Sequence, residues 1–68
     1  MRLHFTANGS DEATQAQARL IDRYGQVARA EADAIVALGG DGFMLATLHA
    51  TERLSAPVYG MNRGTVGF

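Results

Sequence analysis

The run Ala34-Ile35-Val36-Ala37-Leu38 leads directly into Gly39-Gly40-Asp41-Gly42. A strand with one wet face would alternate polar and apolar residues, whereas five apolar residues in succession suit a strand buried within a sheet. Glycines at its carboxyl end let backbone approach a ligand that side chains would otherwise exclude. The acid enclosed by those glycines, Asp41, is therefore the first residue to suspect of chemistry.

The rest of the chain supplies elements to surround that strand. Leu3, Phe5 and Ala7 alternate with Arg2, His4 and Thr6, which predicts a short strand ending at Asn8-Gly9. Ser10 can cap a helix whose first turn carries Asp11 and Glu12, acids well placed against the positive helix end. Ala13, Ala16, Leu20, Ile21 and Tyr24 fall on one face of that helix, and Gly25 offers a left-handed stop. Residues 26–33 read as a connection or a short extra turn. After Gly42, residues 43–53 read as a helix with Phe43, Met44, Leu45 and Leu48 as its core side, ended by Ser55-Ala56-Pro57. Val58-Tyr59-Gly60-Met61 is a third short strand. Alternating strands and helices predict an α/β fold with a mainly parallel sheet, βαβαβ.

Two helices cannot clothe both faces of a three-stranded parallel sheet and also leave a stable surface. At 68 residues the chain makes at most one small domain, and such a domain buries only about 60% of its unfolded surface. The expectation is an incomplete parallel-sheet domain, residues 1–68 forming the amino-terminal part of a larger α/β enzyme.

Composition narrows the function classes. With 47% hydrophobic and 19% charged residues the chain is globular, and a net charge of −1 gives no electrostatic footprint for nucleic acid or anionic lipid. No run approaches the roughly 18 apolar residues of a membrane span, and the polar break at Thr6-Ala7-Asn8-Gly9 comes too early for a signal peptide. Cysteine is absent, which excludes disulfides and zinc-thiolate sites and fits a cytoplasmic, reducing location. All six basic residues are arginine, so a Walker-type phosphate loop, which needs lysine, is excluded.

Two glycine-rich loops remain, Gly39-Gly40-Asp41-Gly42 and Gly60-Met61-Asn62-Arg63-Gly64-Thr65-Val66-Gly67-Phe68, each after a predicted strand. In open α/β sheets ligands bind beyond the carboxyl ends of strands, so these loops converge on one nucleotide-sized site. Free backbone N–H groups and a following helix start make a place for phosphate oxygens. Asp41 would repel phosphate unless a metal or a hydroxyl lay between, which points to phosphoryl transfer with the acid orienting an attacking hydroxyl or helping to hold magnesium. Asp41 is also compatible with an ordinary turn or N-cap aspartate, Asn62 with a left-handed turn residue, Phe68 with a core aromatic, and Arg63 with either a phosphate contact or solvent. His4 and His49 have no second ligand at metal spacing and read as surface or packing residues, so no metal ligand is assigned.

Taken together, the two loops resemble those of the NAD kinases. The first matches the Gly-Gly-Asp-Gly signature of that family at Gly39, Gly40, Asp41 and Gly42. The second matches Gly-Ile-Asn-x-Gly-x-Leu-Gly-Phe, with Met61 and Val66 as conservative changes. The first loop alone is shared with phosphofructokinases and with diacylglycerol or sphingosine kinases; a non-catalytic nucleotide-binding module is a further alternative. The second loop favours NAD kinase. The resemblance implies a Rossmann-like nucleotide-binding domain that phosphorylates the adenosine-ribose 2'-hydroxyl of NAD with ATP, magnesium arriving on ATP, in a homo-oligomer (dimer or tetramer). It implies that Asp41 is the proton acceptor, that Gly42 contacts NAD, that Gly39 and Gly40 shape the loop near the triphosphate, that Phe68 lines the NAD pocket, and that Asn62, Gly64 and Gly67 set the second loop. Phe43 stands where the family more often has threonine. The family's Asn-Glu or Asn-Asp adenosine motif and its second, mainly β domain are absent from residues 1–68.

Overall fold

The structure is a computed structural model and describes residues 1–61. It is α/β, as expected. Strand β1 spans Leu3–Ala7, helix α1 Asp11–Tyr24, β2 Ala34–Leu38, α2 Asp41–Ala50 and β3 Val58–Met61, with one 3-10 turn at Arg29–Glu31 between α1 and β2. The strands form one parallel sheet in the order β1-β2-β3.

The apolar run takes the middle position. All five residues of β2 are buried, and Ile35 is 0% exposed. The register places Phe5, Val36 and Tyr59 in one row and Ala7, Leu38 and Met61 in the next, on one face; Thr6, Ala37 and Gly60 share a row on the other. On the first face Phe5, Val36, Leu38 and Met61 meet Ala13, Ala16, Leu20 and Ile21 of α1. The second face receives α2, with Met44 lying directly against Gly60. Burial of a side chain such as Phe5 or Ile35 contributes about 1.5–3 kcal/mol.

The free edge of β1 is closed without a further strand. The Gln26 carboxamide accepts from the Phe5 N–H at 2.8 Å and donates to the Phe5 carbonyl at 3.0 Å. Gln17 Nε2 donates to the same carbonyl at 2.9 Å, and the Val27 N–H donates to the Leu3 carbonyl at 3.1 Å. These bonds satisfy edge groups that would otherwise template another chain. His4 turns its Nδ1 to the Val27 carbonyl at 2.7 Å, an arrangement that requires the proton on that nitrogen.

Helix α1 begins where the sequence indicates, with Ser10 Oγ accepting from the Ala13 N–H at 3.1 Å. Its stop differs in detail. Gly25 has φ 84° and ψ 173°, an extended conformation with positive φ rather than the left-handed helical one, and its N–H donates to the Ile21 carbonyl at 2.7 Å. Only glycine enters that region readily, and it sends the chain out extended toward Gln26. Tyr24, expected on the inner face, is 55% exposed, with its ring centroid 6.4 Å from that of Phe5.

Helix α2 departs more from expectation. It starts at Asp41, not after Gly42, because Gly40 acts as the N-cap and the Met44 N–H closes the first turn on the Gly40 carbonyl at 3.0 Å. It ends at Ala50 rather than Arg53. Leu45 and Leu48, expected in the core, are 58% and 39% exposed, while Thr47 and Thr51 are buried. The threonines can turn inward because each hydroxyl donates to the carbonyl four residues earlier, Thr47 to Phe43 at 2.9 Å and Thr51 to Thr47 at 2.8 Å. Apolar residues occur all around this helix, so its sequence does not single out the buried side.

No helix among the described residues is long and apolar enough to cross a membrane. On the α1 side, Met1, Leu3, Phe5, Tyr24, Val36 and Tyr59 border an open apolar groove of about 350 Å³, and Tyr59 is 56% exposed.

Two substitutions test the punctuation of α1 in the complete gene product. Ser10→Ala should lower the unfolding free energy by about 1 kcal/mol through loss of the cap. A Cβ at Gly25 would meet nothing within 4 Å, so Gly25→Ala should lose about 1–2 kcal/mol from backbone conformation alone. Chemical denaturation measures both, and an unchanged midpoint for Gly25→Ala would contradict the assigned conformation.

Candidate active site

All three strands point their carboxyl ends to the same rim, as a parallel sheet requires. There the ladder continues one rung past each strand: the Asn8 N–H donates to the Leu38 carbonyl at 3.1 Å, and the Gly39 N–H donates to the Met61 carbonyl at 3.0 Å. The glycine turn after β2 is thus tied to the ends of both neighbours. The second glycine loop begins beside the first, since Gly60 and Met61 belong to β3.

The glycines of the turn differ in what surrounds them. A Cβ at Gly39 would stand 3.0 Å from Phe43 Cδ2, 3.1 Å from Phe43 Cβ and 3.1 Å from Asn8 Nδ2, so any side chain here requires Phe43 and Asn8 to give way. Gly40 caps α2 with extended backbone, φ −85° and ψ −173°, and no side chain completes the cap. At Gly40 and Gly42 a Cβ would meet nothing within 4 Å. Neither crowding by described residues nor positive φ accounts for glycine at these two positions, and the space over them is open to a ligand.

Asp41 is the first residue of α2 and is exposed. The first helical bond belongs to Met44, so the N–H groups of Asp41, Gly42 and Phe43 have no acceptor within the helix. Unpaired N–H groups at the positive end of a helix dipole hold anionic oxygens. The same end stabilises the Asp41 carboxylate, and nothing among the described residues donates to it. The arrangement offers one free carboxylate beside a set of free donors. It can accept a hydrogen bond from a hydroxyl while phosphate oxygens sit on the backbone.

A cavity of about 90 Å³ marks the place, lined by Gly39, Gly40, Asp41, Met44, Gly60 and Met61. Small-molecule pockets occupy roughly 300–1,000 Å³, so this cavity is too small to enclose a nucleotide by itself. The larger groove on the opposite face is lined by apolar and aromatic residues and lies away from the Gly39–Gly42 turn.

Gly39, Gly40, Asp41 and Gly42 therefore lie together at the rim, while Asn62 and Phe68, with Arg63, Gly64 and Gly67, lie outside the described residues. Among the described residues no three His, Asp or Glu side chains gather as a metal site. His49 is on the surface, 4.0 Å from Glu52. Two residues at the rim escaped the sequence reading. Asn8 could have been found by noting that it ends a strand parallel to β2. Met44, which forms the cavity floor against Gly60, gave no signal beyond its place in an apolar helix.

Residues 2–68 match the family model of the ATP-NAD kinase N-terminal domain. The chain belongs to this family. It is 61% identical over 67 residues to the NAD kinase of Cereibacter sphaeroides strain ATCC 17029 and 54% identical over 67 residues to that of Caulobacter vibrioides, covering 98% of this chain in both cases. It is 53% identical over 68 residues to the NAD kinase of Brucella suis biovar 1, covering 100% of this chain. The chain spans about a quarter of the length of these relatives, 26% in each case. Membership decides among the kinase classes that share a Gly-Gly-Asp loop, and the rim described above is the part of the ATP-NAD kinase fold where that loop meets the neighbouring strand ends.

The two kinds of glycine should separate on substitution. Gly39→Ala must displace Phe43 or Asn8 and should destabilise the protein by about 1–3 kcal/mol. Gly42→Ala, in the first turn of a helix with open space around it, should stabilise it by up to about 1 kcal/mol. Thermal or chemical denaturation of the two variants would show opposite shifts; shifts of the same sign would refute the distinction.

Proposed function

We propose that the complete gene product transfers the terminal phosphoryl group of ATP to the adenosine-ribose 2'-hydroxyl of NAD, giving NADP, with Asp41 as the group that orients that hydroxyl. The observation that carries the reading is the pairing at the start of α2: a solvent-facing carboxylate with no protein donor among the described residues, beside free N–H groups and two glycines with open space. Membership in the ATP-NAD kinase family supplies the substrate pair.

The chemistry follows from these groups. The carboxylate accepts a hydrogen bond from the 2'-hydroxyl and aligns its oxygen with the γ-phosphorus. As the new P–O bond forms and the bond to the ADP oxygen breaks, the hydroxyl proton passes to Asp41. A carboxylate is too weak a base to remove an alcohol proton early, so its work is orientation first and proton acceptance late. The N–H groups of the turn stabilise phosphate charge without reorganising. Gly42 contacts NAD through its backbone, while Gly39 and Gly40 hold the turn close to the triphosphate. Asn62 and Phe68, outside the described residues, are assigned to NAD binding on the resemblance alone.

Asp41 is the only carboxylate on the cavity wall, a donor set too small for a resident metal among the described residues. Magnesium, when bound, would come with ATP and would supply neutralisation of triphosphate charge. The remaining walls of both nucleotide pockets come from residues beyond the described ones, including the adenosine motif and mainly β domain that the resemblance implies. The proposal extends to a cytoplasmic homo-oligomer, a dimer or tetramer, on the strength of the resemblance alone.

Formation of NADP from NAD and magnesium-ATP tests the reading directly; phosphorylation of a lipid or sugar with no NADP would overturn it. Asp41→Asn keeps the shape and loses the proton acceptor, so turnover should fall by about a hundredfold or more while NAD affinity changes much less. Near-parent turnover would remove Asp41 from the chemistry. Gly42→Ala should weaken NAD binding even as it stabilises the fold, because its methyl group occupies the space that ligand backbone contact requires.

A further inference from the structure

We infer that Asn8, at the end of β1, is a positioning residue that holds Asp41 in place through Gly39. The inference rests on the reading of Asp41 given above, but its geometry is independent of that reading. Three contacts define it. The Asn8 N–H donates to the Leu38 carbonyl, 3.1 Å away, and fixes the residue beside the start of the glycine turn. Its side-chain Oδ1 accepts from the Ser10 N–H at 2.9 Å, which sets the rotation of the carboxamide. So oriented, Nδ2 lies 3.1 Å from where a Gly39 Cβ would stand.

The consequence is close packing over Gly39. The Asn8 carboxamide and the Phe43 side chain both close on the space where a Gly39 side chain would stand, and the Gly39 N–H is bonded to the Met61 carbonyl at 3.0 Å. Asp41 is two residues further along, and Gly40 between them carries no side chain to anchor the turn. Without the Asn8 side chain, Phe43 alone packs over Gly39, and the turn can relax into the space left. The first residue of α2 then moves with the turn. Displacement of a reacting group by about an ångström can lower a rate by about a hundredfold.

The Gly9 backbone suits the same device. Gly9 has φ 95°, outside the range other residues adopt readily, and a Cβ there would meet nothing within 4 Å. Its conformation turns the chain sharply enough for the Ser10 N–H to reach back to Asn8. One short segment thus performs two tasks: Ser10 caps α1, and Asn8 buttresses the turn that begins α2.

The experiment uses the complete gene product with Asn8→Ala and Asn8→Asp. Alanine keeps the backbone bond to Leu38 but removes both the Ser10 acceptor and the wedge. Aspartate keeps the acceptor and the planar shape, but it exchanges the Nδ2 donor for a negatively charged oxygen near the phosphate site, so its readout is exchange at Gly39 and not kcat. Asn8→Ala should lower kcat for NADP formation about tenfold or more at saturating substrates, with KM for NAD changed by less than about threefold. Amide hydrogen exchange should quicken at Gly39 in Asn8→Ala and stay near the parent rate in Asn8→Asp. Parent-like kcat and exchange in Asn8→Ala would overturn the inference. So would exchange at Gly39 as fast in Asn8→Asp as in Asn8→Ala, since the shape of the side chain would then not be what holds the turn. If the parent protein forms no NADP, the proposed reaction fails, and the exchange rates alone decide whether Asn8 holds the turn.

Discussion

Complete burial of β2 is the constraint on which the remaining architecture depends. A strand with no polar side chain and no exposed residue must have a neighbour on each edge and a layer on each face, because its backbone groups can be satisfied only by other strands. The β1 and β3 ladders supply the edges, α1 and α2 the faces. Parallel pairing on both sides then forces the chain to cross over twice, which is why helices intervene. It also brings every strand's carboxyl end to one rim. The site is a by-product of that requirement: the turn leaving β2 has nowhere to emerge except between the ends of its neighbours.

Close approach refines the arrangement. Gly39 lets Asn8 and Phe43 come within contact of the backbone, and Gly60 lets Met44 settle against β3, so α2 packs close to the sheet. Its first turn consequently sits at the rim with its N–H groups directed outward. The chemistry proposed for Asp41 needs that rigidity, because a carboxylate that only orients a hydroxyl is useful in proportion to how well it is held. On the far side of the sheet no such precision is visible, and the exposed rings of Tyr24 and Tyr59 border an open groove.

Much of this was legible residue by residue. Ser10 before Asp11 and Glu12 marked the start of α1 because local hydrogen bonding and the helix dipole decide a helix terminus. The unbroken run 34–38 marked the central strand because burial on all sides leaves no room for polar residues. The glycine turn marked the site. Less could be read where the decision lay in contacts between distant segments. Leu45 and Leu48 look like core in a helix that is apolar all round, yet Thr47 and Thr51 are the residues turned inward. Asn8 carries no motif of its own and gains meaning only from Gly39, thirty-one positions away in the chain.

The sequence by itself determined the kinds of element, the order in which they occur, the family through its two glycine loops, and the carboxylate to which the proposed chemistry is assigned. These are properties of local backbone preference, periodicity and residue type. Tertiary structure alone decided which side of α2 is buried, that α2 begins at Asp41 with Gly40 as its cap, that Gln26 closes the edge of β1, and that Asn8 and Phe43 pack over Gly39. The physical reason is the same in each case. A side chain's role there is set by the space and hydrogen-bonding groups that another segment brings to it, and chain order does not encode that space.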